Sequence, residues 1–409
     1  MGMVRLKKIS EMISSDFVMV LLLGFLSMGI VVGYDKRILP LFLVIFAGYF
    51  AVSIFVRNEE LARKAKTALL LSLITIVAIL PGVSRINATH KSPTPVFTKH
   101  DGAVQVEEAV KMLLNGKNPY VENYANTPVF LFGGDMNPAL YCLVYLPFVL
   151  YITIPAHVFS NFLIGWFDVR MLLMAFFIAS IFFIYEIADL KRKLVGVAAF
   201  SLLPLVNLYL VLDGRNDILP IALYLLVLLA LQKNKLDFAL AFLAAATATK
   251  QTAWPLVPFV LLYVARDEIK SGRWRTAAIK LWVFFAILLL LVAPFILWSP
   301  YDFFADVVLY GFGLAKTYNI SPENFGLMGI LVRMNVINAG DVIPLWVPMF
   351  VFDVPIMLFL LRDQMEDNSI KRVALNYLYL LAFLLIFSRF FHMNHLAHLY
   401  LVAVIWYVL

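Results

Sequence analysis

The chain has 409 residues, 63% of them hydrophobic and only 14% charged, with a mean hydropathy of +0.88 and a formal net charge of +7. So little polar surface cannot cover a water-soluble core, which excludes a soluble enzyme and makes lipid the solvent for most of the chain. The Lys and Arg residues are scattered through short loops, which excludes a nucleic-acid face, and the lone Cys142 excludes an internal disulfide or a cysteine metal cluster.

In chain order, Arg5-Leu6-Lys7-Lys8 precedes a long apolar run from Phe17. The run is too long for a signal peptide and lacks a small-residue cleavage site, so a retained first span is expected. Apolar stretches of about 17–22 residues, the length a helix needs to cross a bilayer, then follow one another. They place spans near 15–34, 38–56, 67–83, 169–188, 194–212, 218–232, 236–249, 254–266, 280–297, 342–361, 372–388 and 396–409. No short alternating segments suggest a barrel. The expected fold is all-α, a polytopic membrane protein of about 12 transmembrane helices.

The segment Asn137 to Val158 is apolar enough to be a further span. Counting it as one would put Lys191-Arg192-Lys193 and the basic stretch from Arg57 to Lys66 on opposite faces. Read instead as a helix on or dipping into one face, it leaves every basic loop on one side. The N-terminus and residues 57–66, 191–193, 233–235, 265–280 and 362–372 then hold 20 of the 33 Lys and Arg. By the positive-inside rule that side is the cytoplasm, with both termini in it. The sequons Asn87-Ala88-Thr89 and Asn319-Ile320-Ser321 both fall outside. The external face receives two long loops, about 84–168 and 298–341, and is where the chemistry is expected.

In the first loop, His100-Asp101-Gly102 opens an amphipathic stretch to Leu114. Val104, Val106, Val110 and Leu113 form its apolar stripe, and Glu107, Glu108 and Lys111 point elsewhere. Asp101 sits at or just before the helix start, where a carboxylate is favoured as an N-cap. The Gly116-Lys117-Asn118-Pro119-Tyr120 turn follows. Asp213-Gly214-Arg215-Asn216-Asp217, Thr249-Lys250-Gln251-Thr252 and the run Ser388 to His395 are polar turns between apolar spans. Charges so near hydrocarbon usually face a cavity, although Lys250 or Arg389 alone would fit interfacial snorkelling. Their shared face points to a common site. His392 and His395 share a helix face, but an i,i+3 pair is weak support for a metal, and no metal or other cofactor is indicated. His398 and His157 read as ordinary packed or interfacial residues. There is no nucleotide-binding motif or cytosolic catalytic domain, so a lipid-borne substrate is expected.

The run Leu113-Leu114-Asn115-Gly116-Lys117-Asn118-Pro119-Tyr120, behind an aspartate near the start of a long first external loop, resembles the GT-C class of membrane glycosyltransferases. The likeness is closest to the polyprenol-phosphate-dependent mannosyltransferase group. It spans roughly 67–409, with 1–66 as two added transmembrane helices, 67–266 as the conserved module and 267–409 as the C-terminal helices. The resemblance implies Asp101 as catalytic base and juxtamembrane helices in the first loop. The 213–217 turn, the Ala248 to Thr252 turn followed by Pro255, and His392 to His395 match further polar sites of the class. Asn137-Pro138-Ala139-Leu140-Tyr141 lacks the class's Tyr-Pro-Pro, and Asp213 and Asp217 do not form an Asp-x-Asp pair.

The implied reaction is inverting transfer of one hexose, mannose being the commonest, from a polyprenyl phosphate to a lipid or glycan acceptor. Lys250, Arg389, Arg215 and His392 are the candidates for the donor phosphate. His100, Glu108, Asn118, Tyr120, Asp213, Asp217, Gln251, Asn394 and His395 are the candidates for other substrate contacts. The expected location is the plasma membrane, with the site external, or the endoplasmic reticulum lumen in a eukaryote. A secondary transporter, a lipid-linked-glycan ligase or polymerase and a non-catalytic assembly subunit are the alternatives; no internal repeat favours the transporter.

Overall fold

The computed structural model describes residues 15–92, 98–314, 320–321, 323–341 and 343–409. The Arg5 to Lys8 stretch and Asn319 of the second sequon lie outside the described residues. The described residues form helices and turns, with no strand among them.

Helices α1 (Ser15–Asp35) and α2 (Leu39–Phe55) fold back on each other about a short turn at Lys36–Ile38. The Phe17 and Phe50 rings lie 4.6 Å apart, whereas one straight helix would separate them by about 50 Å. Tyr49 donates to Asp16 at 2.7 Å, and Lys66 of the next helix reaches the same carboxylate at 2.9 Å. That next helix, α3 (Glu59–Lys91), runs past the boundary expected at residue 83. It has a π-turn at Thr75–Ile79, just ahead of Pro81, whose missing N–H breaks the regular ladder.

The first loop carries α4 (Asp101–Leu114) and α5 (Pro147–Ile164). The helix expected over 137–158 therefore begins ten residues later. Pro138 sits in a single 3₁₀ turn, Pro147 is suited to a first helical turn, and left-handed Gly165 (φ 79°) closes the helix. Helix α6 (Val169–Ile187) follows. The single span expected over 194–212 is instead a bent pair, α7 (Leu190–Leu202) and α8 (Pro204–Leu212), meeting at 48°. Leu203 is forced extended (φ −69°, ψ 124°) by the proline after it.

Helices α9 (Ile218–Gln232), α10 (Leu236–Thr247), α11 (Val257–Lys270) and α12 (Trp274–Trp298) complete the middle of the chain. The second loop holds a π-turn at Ala305–Leu309 and α13 (Leu327–Arg333). The last helices are α14 (Val354–Glu366), α15 (Ile370–Phe387) and α16 (Met393–Val408).

Among the described residues, six helical segments are long and apolar enough to cross a membrane, or seven when the bent pair counts as one. With their wide apolar outer surfaces they make this a helical membrane protein. The buried core runs through α6, α9, α10, α11, α15 and α16, and a smaller cluster forms between α4, the loop after it and α12.

Hydrogen bonds define two ends of the bundle. At one, Asp189 N donates to Val408 O at 3.0 Å, and the Gln232 side chain donates to Ile187 O at 3.0 Å. The basic stretches 191–193 and 233–235 belong to that end. The opposite end gathers the starts of α4, α6, α9 and α16 with the polar turns between them.

Candidate functional site

An ionic clamp fixes the first loop. Lys99 donates to both oxygens of Glu107 at 2.7 and 2.6 Å and lies 3.6 Å from Asp168. Arg170, with no exposed side-chain surface, grips Asp168 at 2.7 Å and donates to Thr98 O, Leu212 O and the Thr89 hydroxyl. Glu107 also accepts from Val169 N at 2.8 Å. Glu107 thus points into the protein, away from the apolar stripe as expected but not toward solvent. Helix α4 is packed from two sides, Ala103 and Val106 against the main core and Val104 and Val110 against the smaller one.

The clamp holds the start of α4 at the 213–217 turn, where His100 N donates to Asp213 O at 2.8 Å. His100, not Asp101, is the N-cap: its Nδ1 accepts from Gly102 N at 3.0 Å. Asp101 is the first helical residue, and its Oδ1 shares that same N–H at 2.7 Å. Asn137 Nδ2 donates to the other oxygen at 3.2 Å. Burial opposes the Asp101 charge, but the His100 ring, the Gly102 N–H and the Asn137 amide outweigh it and hold the pKa at about 2. The helix dipole acts in the same direction. Gly102 is required here, since a Cβ would collide with the Tyr145 hydroxyl and stand 3.1 Å from Tyr145 Cζ.

Asp101 opens into a cavity of about 450 Å³. The same cavity is bordered by His100, Arg215, Lys250, Gln251, His392, Asn394 and His395, so most of the polar residues singled out from sequence converge on it. Asp217 also borders it, yet its side chain has no exposed surface. It accepts from Lys250 Nζ and from Asn394 Nδ2, each at 2.8 Å. His398, also fully buried, places Nδ1 3.5 Å from Asp217 and Nε2 3.1 Å from the Tyr377 hydroxyl. Burial disfavours the Asp217 charge, but Lys250 and the neighbouring histidines hold its pKa well below the usual range. Asp217 is therefore a buried support for Lys250.

Arg215 bonds Asp213 at 3.0 Å and Asn394 Oδ1 at 3.0 Å, which ties the 213–217 turn to α16. Lys250 keeps a longer bond to Asn216 Oδ1 at 3.3 Å. Both cations therefore face the cavity with a carboxylate already beside them. Gln251 spends its amide on Val144 O at 2.9 Å and Val307 O at 3.0 Å, stapling the first loop to the second. His395 Nδ1 accepts from His392 N at 3.3 Å, so this histidine pair forms a helix cap. Among the described residues no group of three or more His, Cys, Asp or Glu is arranged to hold a metal ion.

Five of the singled-out residues lie off the cavity. Arg389 is buried behind its wall, 5.5 Å over the Tyr310 ring. Glu108 pairs with Lys111 at 2.7 Å. Asn118 caps the turn through Tyr120 N at 3.1 Å, and Tyr120 donates to Tyr145 O at 2.8 Å between Phe295 and Phe303. Asp213, the partner of Arg215, supports the site without bordering the cavity. The cavity also brings in Asn137, Tyr145, Asn216 and Asp306, none of which was among the candidate contacts. Asn216 lies in the polar 213–217 turn noted from sequence, and the other three carry only their place in the two long loops. Met349, Leu381, Leu384 and Leu385 give the cavity an apolar wall. No protein-family model matches the chain, and no curated protein matches it.

Proposed function

We propose that this protein is a GT-C-like membrane glycosyltransferase that moves a hexose from a polyprenyl phosphate to a lipid or glycan acceptor. The observation that carries this reading is one cavity shared by an ionised carboxylate, two cations and an apolar wall. A lipid-linked sugar phosphate has those parts: an anion for Lys250 and Arg215, a prenyl chain for the leucine wall, and a reacting sugar between them.

In the proposed reaction the acceptor hydroxyl oxygen attacks the anomeric carbon from the face opposite the phosphate. The carbon–oxygen bond to phosphate breaks, polyprenyl phosphate leaves as the monoester anion, and the configuration inverts. The hydroxyl proton passes to Asp101. With a pKa of about 2 the Asp101 carboxylate is fully ionised, and it takes the proton late, as the attacking oxygen becomes acidic. Lys250 and Arg215 stabilise the charge growing on the leaving phosphate.

The same reading counts about 12 membrane passes, with α4 and α5 as juxtamembrane helices of an external loop. It places the basic end in the cytoplasm and the cavity on the external face of the plasma membrane, or in the endoplasmic reticulum lumen. Mannose and glucose are the first sugars to test.

Asp101→Asn separates base from binding. It should lower kcat by about 10²–10⁴-fold, the range for a positioned acid or base, and leave donor affinity within about twofold. A variant with full turnover would remove Asp101 from the reaction.

A further inference from the structure

Asp306 is a third carboxyl group bordering the cavity, beside Asp101 and the buried Asp217. It stands on the π-turn of the second loop and is only 6% exposed. One oxygen accepts from Leu143 N at 2.8 Å, and the Cys142 thiol bonds the same carboxyl. The Gln251 staple fixes residues 144 and 307 beside each other, so Asp306 is held one residue from a strut that starts next to Lys250. Around it stand Asp302 on its own segment and Tyr120, Tyr124 and Cys142 from the first loop. Among the described residues no cation pairs with it.

A buried carboxyl group with no cation is costly, and two donors from one loop do not use all its hydrogen-bonding capacity. Burial, the largest influence, raises its pKa to about 7, against about 2 for Asp101 across the same cavity. Carboxyl groups whose environments drive them apart in this way take different roles. As an anion Asp306 would repel a phosphate. As a neutral acid it can donate to one hydroxyl oxygen and accept from another, which is the chemistry of carbohydrate recognition.

We propose that Asp306 is a sugar-contacting residue of the cavity, hydrogen-bonding a hydroxyl group of the transferred hexose while Asp101 meets the acceptor. This rests on the glycosyltransferase reading and adds a contact specific to the sugar.

The test is equilibrium binding to the purified full-length protein at pH 6 with three probes: polyprenyl phosphate and its mannosyl and glucosyl esters. Asp306→Ala should weaken the preferred hexosyl ester about tenfold, the scale of one lost hydrogen bond, and leave polyprenyl phosphate within about twofold. Asp306→Asn retains an acceptor for Leu143 N–H and a donor for the sugar, so its affinity should stay within about threefold of wild type. Between pH 6 and 8 the wild-type preference for the hexosyl ester should fall, while that of Asp306→Asn stays flat. Equal weakening of bare phosphate and hexosyl ester by Asp306→Ala, or no weakening, would overturn the sugar contact and leave the lipid-phosphate reading intact. Failure of wild type to bind any of the three probes would overturn both.

Discussion

Replacing Asp217 by Asn should unfold the floor of the cavity more readily than any exposed change near it. Asp217 has no exposed side-chain surface and holds Lys250, itself only 11% exposed, at 2.8 Å. An asparagine has the same shape but a single acceptor oxygen, so it cannot serve both Lys250 Nζ and Asn394 Nδ2. The ammonium would be left buried with the 3.3 Å contact to Asn216 and a neutral amide. Removing one partner of a buried pair typically costs about 3–5 kcal/mol, because the other charge stays desolvated. Lys250→Met combined with Asp217→Asn removes both charges, so the double variant should be at least about 2 kcal/mol more stable than the sum of the single losses. Unfolding in mixed micelles of mild detergent and SDS, followed by tryptophan fluorescence, gives all four corners of the cycle. A single Asp217→Asn loss below about 0.5 kcal/mol, or strictly additive losses, would refute the buried-pair account.

Two further outcomes follow from the same geometry. Gly102→Ala should destabilise by about 1–3 kcal/mol as its methyl group meets the Tyr145 hydroxyl, with part of the loss recovered by adding Tyr145→Phe; a thermal midpoint equal to wild type would contradict that packing. Asp306 binds its proton more tightly in the folded chain, with a pKa of about 7 against an ordinary 3.8, so its contribution to stability falls as pH rises through that window. Asp306→Asn should therefore gain on wild type by up to about 4 kcal/mol between pH 4 and pH 8; parallel stability profiles would show that Asp306 titrates normally.

Much of the helical order can be read from the sequence because lipid imposes a simple rule: long apolar runs become helices. The polar turns at 213–217, 249–252 and 388–395 are legible for the related reason that charges beside hydrocarbon seek one another. The Leu203–Pro204 break was missed by the single span expected over 194–212, although proline lacks a donor and holds its predecessor extended. The contact between Asn137 and Asp101 was not, because 36 residues separate them and no local spacing records the pairing. Glu107 and Glu108 look alike on a helical wheel. Only the arrival of Lys99 and the start of α6 makes the first a buried ligand of the clamp and leaves the second beside Lys111. Gln251 and Asp217 are legible as polar residues of a shared face, but their bonds to backbone and to Lys250 are not. Asp306 carries no motif at all, and only the fold brings its π-turn against Leu143.

The most direct test of the central claim is sugar transfer by the purified full-length protein in detergent, supplied with polyprenyl-phosphate mannose or glucose and a membrane-lipid extract. The account predicts donor consumption with a new glycosylated product of inverted configuration, both abolished in Asp101→Asn. Consumption of neither donor, or a product formed equally well by Asp101→Asn, would contradict it.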